Sequence, residues 1–545
     1  MGLNRSMSHR RLDLALIFLA GMAVNSLAAL SVSQPGYMDA YYYFGGALQL
    51  AHGRGFVEPY LWNYLDPVLR LPHPSHLYWM PLASLVAAPY VALAERLWGA
   101  GLSNAQLFRA AQSPFVIMAA LLPLISYEVA LLVSGRRRHA LVAALLTLFS
   151  AFYLPFWAQT DAFALYGLAG AGALVAGYLG VTRASGRWLF LAGLAAGLAH
   201  LARADGVLVL AMILGAGLWS AGRKNRLSLA SLPAELRALA PLAWVLAGYL
   251  LIMLPWFVRN VVVMGTPLVP GGMRMVWLTD YNEVFNYPAD NLTLAHFLAG
   301  GWVAIVRGRW WALQTNFGNV VGPLSSIVAF PFMVAGFWQL RRHGLIALAG
   351  LYGLILFGAM TLLFSFAGAR GSFFHSGAAL LPFCSVAAVV GLDAAVDATA
   401  RRLKHWQPEK SKPVFALLLV MFAMGVTGLV LLRRSGDAAQ AEDVYAEVGS
   451  WLDTTAAPEA VVAVNNPPGF YYFTGHPSIV IPNGSPADLL RAAHDFGARW
   501  VVLDVNAPNG LADLYAHPDS IAALSLRRTF TGAAGRPVYV FQVSP

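Results

Sequence analysis

The sequence predicts a polytopic α-helical membrane protein with a small extracytoplasmic α/β domain at its C-terminal end. Three observations support this fold class. Apolar residues make up 58% of the 545 residues and charged residues 11%, compared with about 45–50% and about 25% in soluble proteins. The apolar residues form long runs, and basic residues punctuate these runs. After residue 433 the pattern changes to amphipathic segments that alternate with short β-rich ones. A disordered chain, a soluble globule and a disulfide scaffold are excluded, the last because Cys384 is the only cysteine.

Eleven apolar runs are candidates for membrane-spanning helices. A span needs about 20 residues to cross roughly 30 Å of hydrocarbon. No small-residue cleavage site follows the first run, so it is expected to be a retained span and not a signal peptide. Because the runs between 160 and 221 are rich in Gly and Ala and closely spaced, the count is open by one or two. The runs lie near residues 12–32, 107–134, 140–157, 160–181, 187–201, 204–221, 240–263, 321–340, 344–366, 372–396 and 413–433.

The basic residues predict the orientation of these spans. If the N-terminus is cytoplasmic, every cytoplasmic loop is rich in Arg or Lys, as the positive-inside rule requires. An odd number of spans then places the C-terminal tail outside. The net charge of +10 therefore reflects topology, and no nucleic acid partner is predicted. The loops in question are 135–139, 182–187, 222–239, 341–343 and 401–412.

Two domains are expected. Residues 1–433 would form a transmembrane domain with two long outer loops, at about 33–106 and 264–320. In the first loop, the apolar segment 74–98 is broken by prolines and is expected to form helices along the membrane interface. Residues 434–545 would form the soluble α/β domain. Its predicted helices are 441–454, 485–497 and 510–524, and its predicted strands are 461–465, 478–482, 500–505 and 538–543.

Charged residues at the predicted outer ends of spans are conspicuous in so apolar a chain. Taken singly, each has an ordinary structural explanation: an acid that caps a helix, an ion pair at a turn, or an arginine anchored at the interface. Taken together, two acids and three arginines on one face, next to aromatic loops, indicate a cavity for an anionic substrate, because charges at a membrane need partners or water. These residues are Asp39, Asp161, Arg203 with Asp205, Arg259 with Asn260, and Arg370 with His375.

The sequence does not predict a metal or a cofactor. His73 and His76, with His52 and Glu58 nearby, have the residue types of a metal site. The intervening Pro74 disfavours a helical i,i+3 pair of imidazoles, so no metal site is assigned, and dependence on a divalent metal is left open. The chain has no Walker loop and no dinucleotide fingerprint.

Several short motifs, in this order, resemble those of the GT-C superfamily of membrane glycosyltransferases, in particular the protein O-mannosyltransferases and the lipid A aminoarabinose transferase. The resemblance spans most of residues 10–395, and its specificity comes from the shared order and sidedness of the motifs. The matching segments are 36–43, 48–56, 73–81, 159–161, 201–206, 255–260 with 265–267, and Arg370 with 378–382. The segment 466–475 is similar to the extracytoplasmic domains of many such bacterial proteins.

This resemblance implies an enzyme of a bacterial-type plasma membrane that transfers a sugar, with inversion, from a polyprenyl-phosphate donor on the extracytoplasmic side. The acceptor would be a hydroxyl of a lipid, a glycan or a protein. Asp39 would be the general base. Many relatives carry adjacent acids in the first loop, whereas Ala40 follows Asp39 here, so Asp39 would serve alone or with Asp161.

The resemblance also suggests which residues hold the substrates. The donor phosphate would bind Arg370, Arg259 and, as a third choice, Arg203, because a guanidinium group matches phosphate oxygens and stays charged. Membrane lipids would surround the spans. Further substrate-binding candidates are Tyr42, His52, Arg54, Glu58, His73, His76, Asp205, Asn260 and His375.

Two functions of other classes compete with this one. A secondary transporter would usually place its charges near the bilayer midplane on broken helices, whereas these charges are predicted at outer span ends. A non-catalytic membrane scaffold that has kept the fold is the second alternative.

Overall fold

The computed structural model describes residues 2–224, 232–403, 406–437 and 443–544. The chain forms two compact units. The first comprises Met1–Ser31, Ser113–Val258 and Trp311–Leu431, and the second comprises Val32–Gln112, Arg259–Trp310 and Leu432–Pro545. The second unit thus contains most of both long outer loops together with the tail.

Seven helices in the described part of the chain are long and apolar enough to cross a membrane. Three shorter apolar helices lie at Gly186–Ala202, Ala204–Ser220 and Phe330–Leu340. The prediction of a helical membrane protein is confirmed. The seven long segments are His9–Leu30, Asn104–Ser134, Ala162–Thr182, Pro241–Met264, Gly344–Leu363, Ser365–Ala400 and Pro408–Arg433.

Two predicted spans are shorter than expected. The apolar run 140–157 is split into the helices Arg137–Leu148 and Leu154–Trp157. Phe149 leaves the helical region and ends the first helix, and Pro155 lies in the first turn of the second, where its missing N–H group is tolerated. In the run 321–340, the helix covers only Phe330–Leu340. The preceding helix Gly301–Val321 ends at the start of this run, and Ser326 and Ile327, which lie between the two helices, have positive φ angles. Hydrophobicity alone does not reveal such backbone breaks.

Small residues allow close helix packing in the first unit. Helices Phe330–Leu340 and Leu381–Ala400 meet at Gly336 and Gly391. A Cβ atom on Gly336 would lie 1.8 Å from the carbonyl oxygen of Ala387, and one on Gly391 would lie 1.8 Å from that of Phe332. Close backbone approach through small residues is typical of helix pairs in membranes, where dispersion contacts stabilise association.

The polypeptide between residues 359 and 380 is helical but irregular. Two π-helical turns, Ala359–Leu363 and Gly368–Ser372, alternate with the short helices Ser365–Ala367 and Phe373–Gly377. Gly371 has a φ of 134°, which L-residues with a side chain rarely adopt. π-Helical turns are often found at functional sites, and this segment carries Arg370 and His375.

In the second unit, the first outer loop forms two helices and three two-residue strands. The helices are Met38–Ala51 and Leu82–Trp98. The second helix continues through Pro89, so the apolar segment expected to form several helices contains one. The strands are β1 (Val57–Glu58), β2 (Tyr60–Leu61) and β3 (His73–Pro74), with β1 antiparallel to β3. The second outer loop contributes the short helices Gly271–Arg274 and Leu294–Ala299.

The tail forms an α/β fold, as predicted, around a six-stranded sheet of order β2-β5-β4-β6-β8-β7. Strands β2, β5, β4 and β6 are parallel, and β8 pairs antiparallel with β6 and β7. The edge strand β2 comes from the first outer loop, so loop and tail share one sheet. The tail strands are β4 (Val461–Val464), β5 (Ser478–Val480), β6 (Ala498–Leu503), β7 (Leu524–Thr531) and β8 (Pro537–Val543), and the helices are Asp443–Thr455, Pro467–Thr474, Pro486–Phe496 and Ala512–Ala516.

Three details of the tail differ from the prediction. The predicted helix 510–524 ends at Ala516, because the residue before Pro518 is biased away from the helical region. Strand β7, which follows, and the helix Pro467–Thr474 were not predicted. In β7 three consecutive exposed positions, 527–529, interrupt the alternation of buried and exposed side chains that a strand prediction needs.

Candidate functional site

In the first unit, the side chains of Asp161 and His375 are in contact. Asp161 is 1% exposed and caps the helix Ala162–Thr182, accepting a hydrogen bond from the backbone N–H of Ala162. Its other carboxylate oxygen lies 3.2 Å from Nε2 of His375, whose Nδ1 lies 2.9 Å from the carbonyl oxygen of Gly371. The imidazole ring stacks on Phe163 with the centroids 3.8 Å apart.

Arg203 and Asp205 form an ion pair that contacts Ser376, the residue after His375. Nε of Arg203 is 3.2 Å from Asp205 and 3.0 Å from Oγ of Ser376, which in turn donates to Asp205. Arg203 follows the helix Gly186–Ala202 as its C-cap. The geometry agrees with the structural explanation, an ion pair at a turn. Arg370, in contrast, is exposed on the π-helical turn Gly368–Ser372.

Asp39 lies in the first turn of the helix Met38–Ala51, and Tyr37 is the N-cap. Asp39 therefore does not cap this helix, and the capping explanation for this acid is wrong. A carboxylate in the first turn still interacts favourably with the helix dipole. The side chain is partly exposed.

In the second unit, Glu58, His73 and Asp66 form a buried cluster whose members are 2%, 1% and 4% exposed. The β1–β3 register pairs Glu58 with His73. Nδ1 of His73 is 2.8 Å from Glu58, and Nε2 is 3.7 Å from Asp66, which is too long for a hydrogen bond. Two carboxyl groups thus share one imidazole. Sequence reasoning missed Asp66, since an acid in an aromatic loop carries no signal of burial.

Burial shifts the pKa values in this cluster towards the neutral forms. It raises the pKa of Glu58 well above its ordinary value, and a hydrogen bond with Tyr42 opposes this shift. Burial likewise raises the pKa of Asp66 to about 6, against the charge of His73. It lowers the pKa of His73. All three shifts have the same cause, because transfer from water penalises the charged form.

Aromatic rings enclose His76 beside this cluster. The backbone N–H of His76 donates to the hydroxyl of Tyr42 over 2.6 Å, and Nδ1 lies 3.1 Å from the carbonyl oxygen of Trp79. Trp79 stacks on Trp62 with the centroids 3.8 Å apart. Burial lowers the pKa of His76 to about 3, so this imidazole is neutral near pH 7.

The four residues considered for a metal site take different partners. Nε2 of His52 is 2.9 Å from Glu95, and its Nδ1 is 2.8 Å from the exposed guanidinium group of Arg54. Glu58 and His73 contact each other, whereas Nδ1 of His76 contacts a carbonyl oxygen. The structure therefore does not bring His52 together with the other three as a ligand set.

A cavity of about 650 Å³ in the second unit is lined by two arginines and apolar side chains. Arg259 donates to the carbonyl oxygen of Ser75 over 2.7 Å and to Asn260 over 3.1 Å, and its guanidinium group lies 5.6 Å from the ring centroid of Phe56. Arg70, the second arginine, was not identified from the sequence, because it lies in no conspicuous motif. The lining residues are Phe56, Val57, Arg70, Leu71, Pro72, Pro74, Arg259, Val262 and Val263.

No family model and no curated relative matches the chain. Solved structures do match it. ArnT from Cupriavidus metallidurans bound to undecaprenyl phosphate is 15% identical, with 97% of each chain covered and a TM-score of 0.53. AglB, an archaeal oligosaccharyltransferase from Archaeoglobus fulgidus solved with an inhibitory peptide and a dolichol-phosphate, is 13% identical, covers 98% of this chain and 74% of its own, and has a TM-score of 0.58. The chain shares the fold of these two structures.

This finding confirms the predicted fold class and the nature of the chain as an integral membrane protein. At 13–15% identity the likeness establishes the fold, and the reaction has to be argued from the side chains of this chain.

Proposed function

We propose that the protein is a glycosyltransferase that moves a sugar from a polyprenyl-phosphate donor to an acceptor hydroxyl on the extracytoplasmic side of the membrane. The observation that carries this proposal is the cavity that joins Arg259 and Arg70 to apolar walls. A lipid-linked phosphate has matching parts, an anionic head and a hydrocarbon chain. ArnT, which has the same fold, was solved with undecaprenyl phosphate.

Arg259 is the principal phosphate-binding residue in this proposal. Its side chain is held in place by the carbonyl oxygen of Ser75 and by Asn260, and a guanidinium group matches the geometry of phosphate oxygens and stays charged. Arg70 would add a second positive charge from the same cavity. Val262, which is 80% exposed, and Val263 would contact the polyprenyl chain. Arg370 is kept in this proposal as a further residue for binding the donor phosphate.

The buried cluster has a positioning role in this arrangement. Glu58 holds His73 through the 2.8 Å contact, and His73 is two residues before Ser75, whose carbonyl oxygen accepts the hydrogen bond from Arg259. The cluster thus fixes the backbone that orients the guanidinium group. For this reason Glu58 and His73, which the sequence suggests as substrate-binding candidates, are assigned in this proposal to the support of the cavity.

The proposed reaction is an inverting displacement at the anomeric carbon. The acceptor oxygen forms a bond to this carbon, and the bond from the carbon to the phosphate oxygen breaks with its electron pair on the phosphate. The acceptor proton passes to the carboxylate of Asp39, and polyprenyl phosphate leaves, its charge stabilised by arginine. Asp161 would orient the acceptor or hold an arginine in place.

An assay of the full-length protein in lipid nanodiscs tests this function. Radiolabelled polyprenyl-phosphate sugars are incubated with peptide, lipid and glycan acceptors, and labelled product and released polyprenyl phosphate are quantified. Asp39→Asn is expected to reduce the rate by about 10²–10⁴-fold, the range for a general base. Asp513→Asn, at an exposed position on the tail, is the matched control. A wild-type rate in a folded Asp39→Asn sample would show that Asp39 is not the base.

This assay, together with an uptake assay of the same protein in proteoliposomes, separates the competing functions. A transporter would move the lipid-linked sugar or another solute without forming a glycosidic bond, and a scaffold would do neither. Product in at least one donor and acceptor combination supports the enzyme. Uptake into proteoliposomes without product supports the transporter.

A further inference from the structure

We infer that a second polar pocket, within the first unit, binds a phosphate group, with the head of an anionic phospholipid as its preferred source. The pocket has a volume of about 460 Å³, inside the range of about 300–1,000 Å³ typical of small-molecule sites. It is lined by Val133, Ser134, Arg136, His139, Gln339, Leu340, Val390, Asp393, Ala394, Asp397 and Arg401. This inference uses no residue of the proposed glycosyl transfer and does not depend on it.

The pocket lies where helix ends meet basic loops. Ser134 ends the helix Asn104–Ser134, Leu340 ends Phe330–Leu340, and Ala400 ends Leu381–Ala400. The loops that follow them are three of those that the positive-inside pattern predicts to be cytoplasmic. Anionic lipids concentrate in the cytoplasmic leaflet, and basic pockets between transmembrane helices on that side bind lipid head groups.

The charges in and around the pocket favour an anion. Asp393 is already neutralised, since it contacts Arg138 and lies 2.8 Å from Nε2 of His139. Asp397 lies 2.9 Å from Lys412. Four cations face three carboxylates in this network, which consists of Arg136, Arg138, Arg401 and Lys412 with Asp393, Asp397 and Glu409.

Two of the cations are available to a ligand. The side chain of Arg136 is 60% exposed, and it approaches the carboxylate of Asp393 no closer than 3.5 Å. Arg401 also lines the pocket and is exposed. Two guanidinium groups beside one cavity provide the planar donors that bind phosphate oxygens in pairs.

Buried polar atoms without a partner provide an independent reason to expect a ligand. His139 is 3% exposed, and its Nδ1 has no hydrogen-bond partner among the described residues; the same holds for Oδ1 of Asp393. Both residues line the pocket, and buried polar groups are nearly always satisfied. A phosphodiester whose head group carries hydroxyls, such as phosphatidylglycerol, would supply acceptors to Arg136 and Arg401 and donors to the carboxylate.

The test measures lipid binding to the full-length protein, purified in a neutral detergent. Short-chain phosphatidylglycerol, phosphatidylcholine and inorganic phosphate are added separately, and retained lipid is counted by native mass spectrometry alongside the thermal midpoint. Phosphatidylglycerol is expected to be retained and to raise the midpoint, and phosphatidylcholine is not. The double variant Arg136→Gln/Arg401→Gln is expected to weaken phosphatidylglycerol binding on the order of tenfold or more.

The matched control is Arg183→Gln/Arg187→Gln, which removes two exposed arginines from another predicted cytoplasmic loop and is expected to bind as the wild type does. If the first double variant does not fold, His139→Gln is tested instead, and a smaller loss of phosphatidylglycerol binding is expected. A midpoint raised by inorganic phosphate without retained lipid identifies free phosphate as the source. The inference is overturned if neither ligand binds, or if both double variants lose binding equally.

Discussion

The Asp161–His375 pair in the first unit and the Glu58–His73–Asp66 cluster in the second use the same residue types in different ways. In the pair, one carboxylate lies 3.2 Å from one imidazole, whose other nitrogen contacts a backbone carbonyl oxygen. In the cluster, two buried carboxyl groups lie beside one imidazole, and burial shifts the pKa values towards neutral forms. The number of carboxyl groups buried around one histidine therefore differs between the two regions, and in the cluster burial disfavours the charged forms.

The largest expected difference between the two regions is in activity. Asp161→Asn replaces a carboxylate oxygen that contacts His375 and is expected to lower turnover by about a hundredfold, because misplacing the acceptor costs a factor of this order. Asp66→Asn keeps the shape of a buried, easily neutralised group and is expected to retain activity within a few-fold. Turnover of folded variants in the nanodisc assay measures both. Equal losses would remove the functional distinction between pair and cluster.

A smaller effect is expected on donor affinity beside the cluster. Arg259→Ala removes a charged hydrogen-bond donor, which is worth about 1.5–3 kcal/mol, so donor binding should weaken by about 10- to 100-fold. Arg70→Ala is expected to have a lesser effect because this side chain is exposed. Titration with polyprenyl phosphate measures donor affinity, and acceptor affinity serves as the control. Loss of acceptor binding alone would contradict the phosphate role.

The buried cluster is also expected to make the stability of the protein depend on pH. Because burial raises the pKa of Asp66 to about 6 from its ordinary value near 4, the native state binds this proton more tightly than the unfolded state. Stability from Asp66 is thus fully present below pH 4 and lost as the pH rises through 6. Asp66→Asn should therefore raise the thermal midpoint at pH 7 more than at pH 4.

The expected difference for Asp66 is at most about 3 kcal/mol, from two pKa units at about 1.4 kcal/mol each. The lowered pKa of His73 acts in the opposite direction, since its contribution is lost as the pH falls below about 6.5. Because His73 is present in both proteins, the difference in thermal midpoint between wild type and Asp66→Asn at each pH largely cancels the contribution of His73. Asp513→Asn is the surface control, and an Asp66→Asn midpoint difference that stays constant from pH 4 to pH 7 would refute the assigned shift.

Part of the candidate site could be predicted from the sequence, because charges stand out in an apolar chain. Asp161, His375, Arg203 and Asp205 were selected in this way. The structure places Asp161 in contact with His375, which the sequence had grouped with Arg370, and Arg203 in contact with Asp205. Asp66 and Arg70 were missed. Their importance comes from burial beside His73 and from lining the cavity with Arg259, and neither property leaves a local mark on the sequence.

The sequence by itself determined the membrane class, the helical spans and the α/β character of the tail, because hydrophobic length, β-rich patterning and the placement of charges act locally along the chain. Only the tertiary structure decided that strand β2 of the first outer loop completes the sheet of the tail, that positive φ angles near Ser326 divide an apolar run, and that Glu58 is buried against His73. These features depend on backbone geometry and on contacts between residues far apart in the chain, which a local pattern cannot specify.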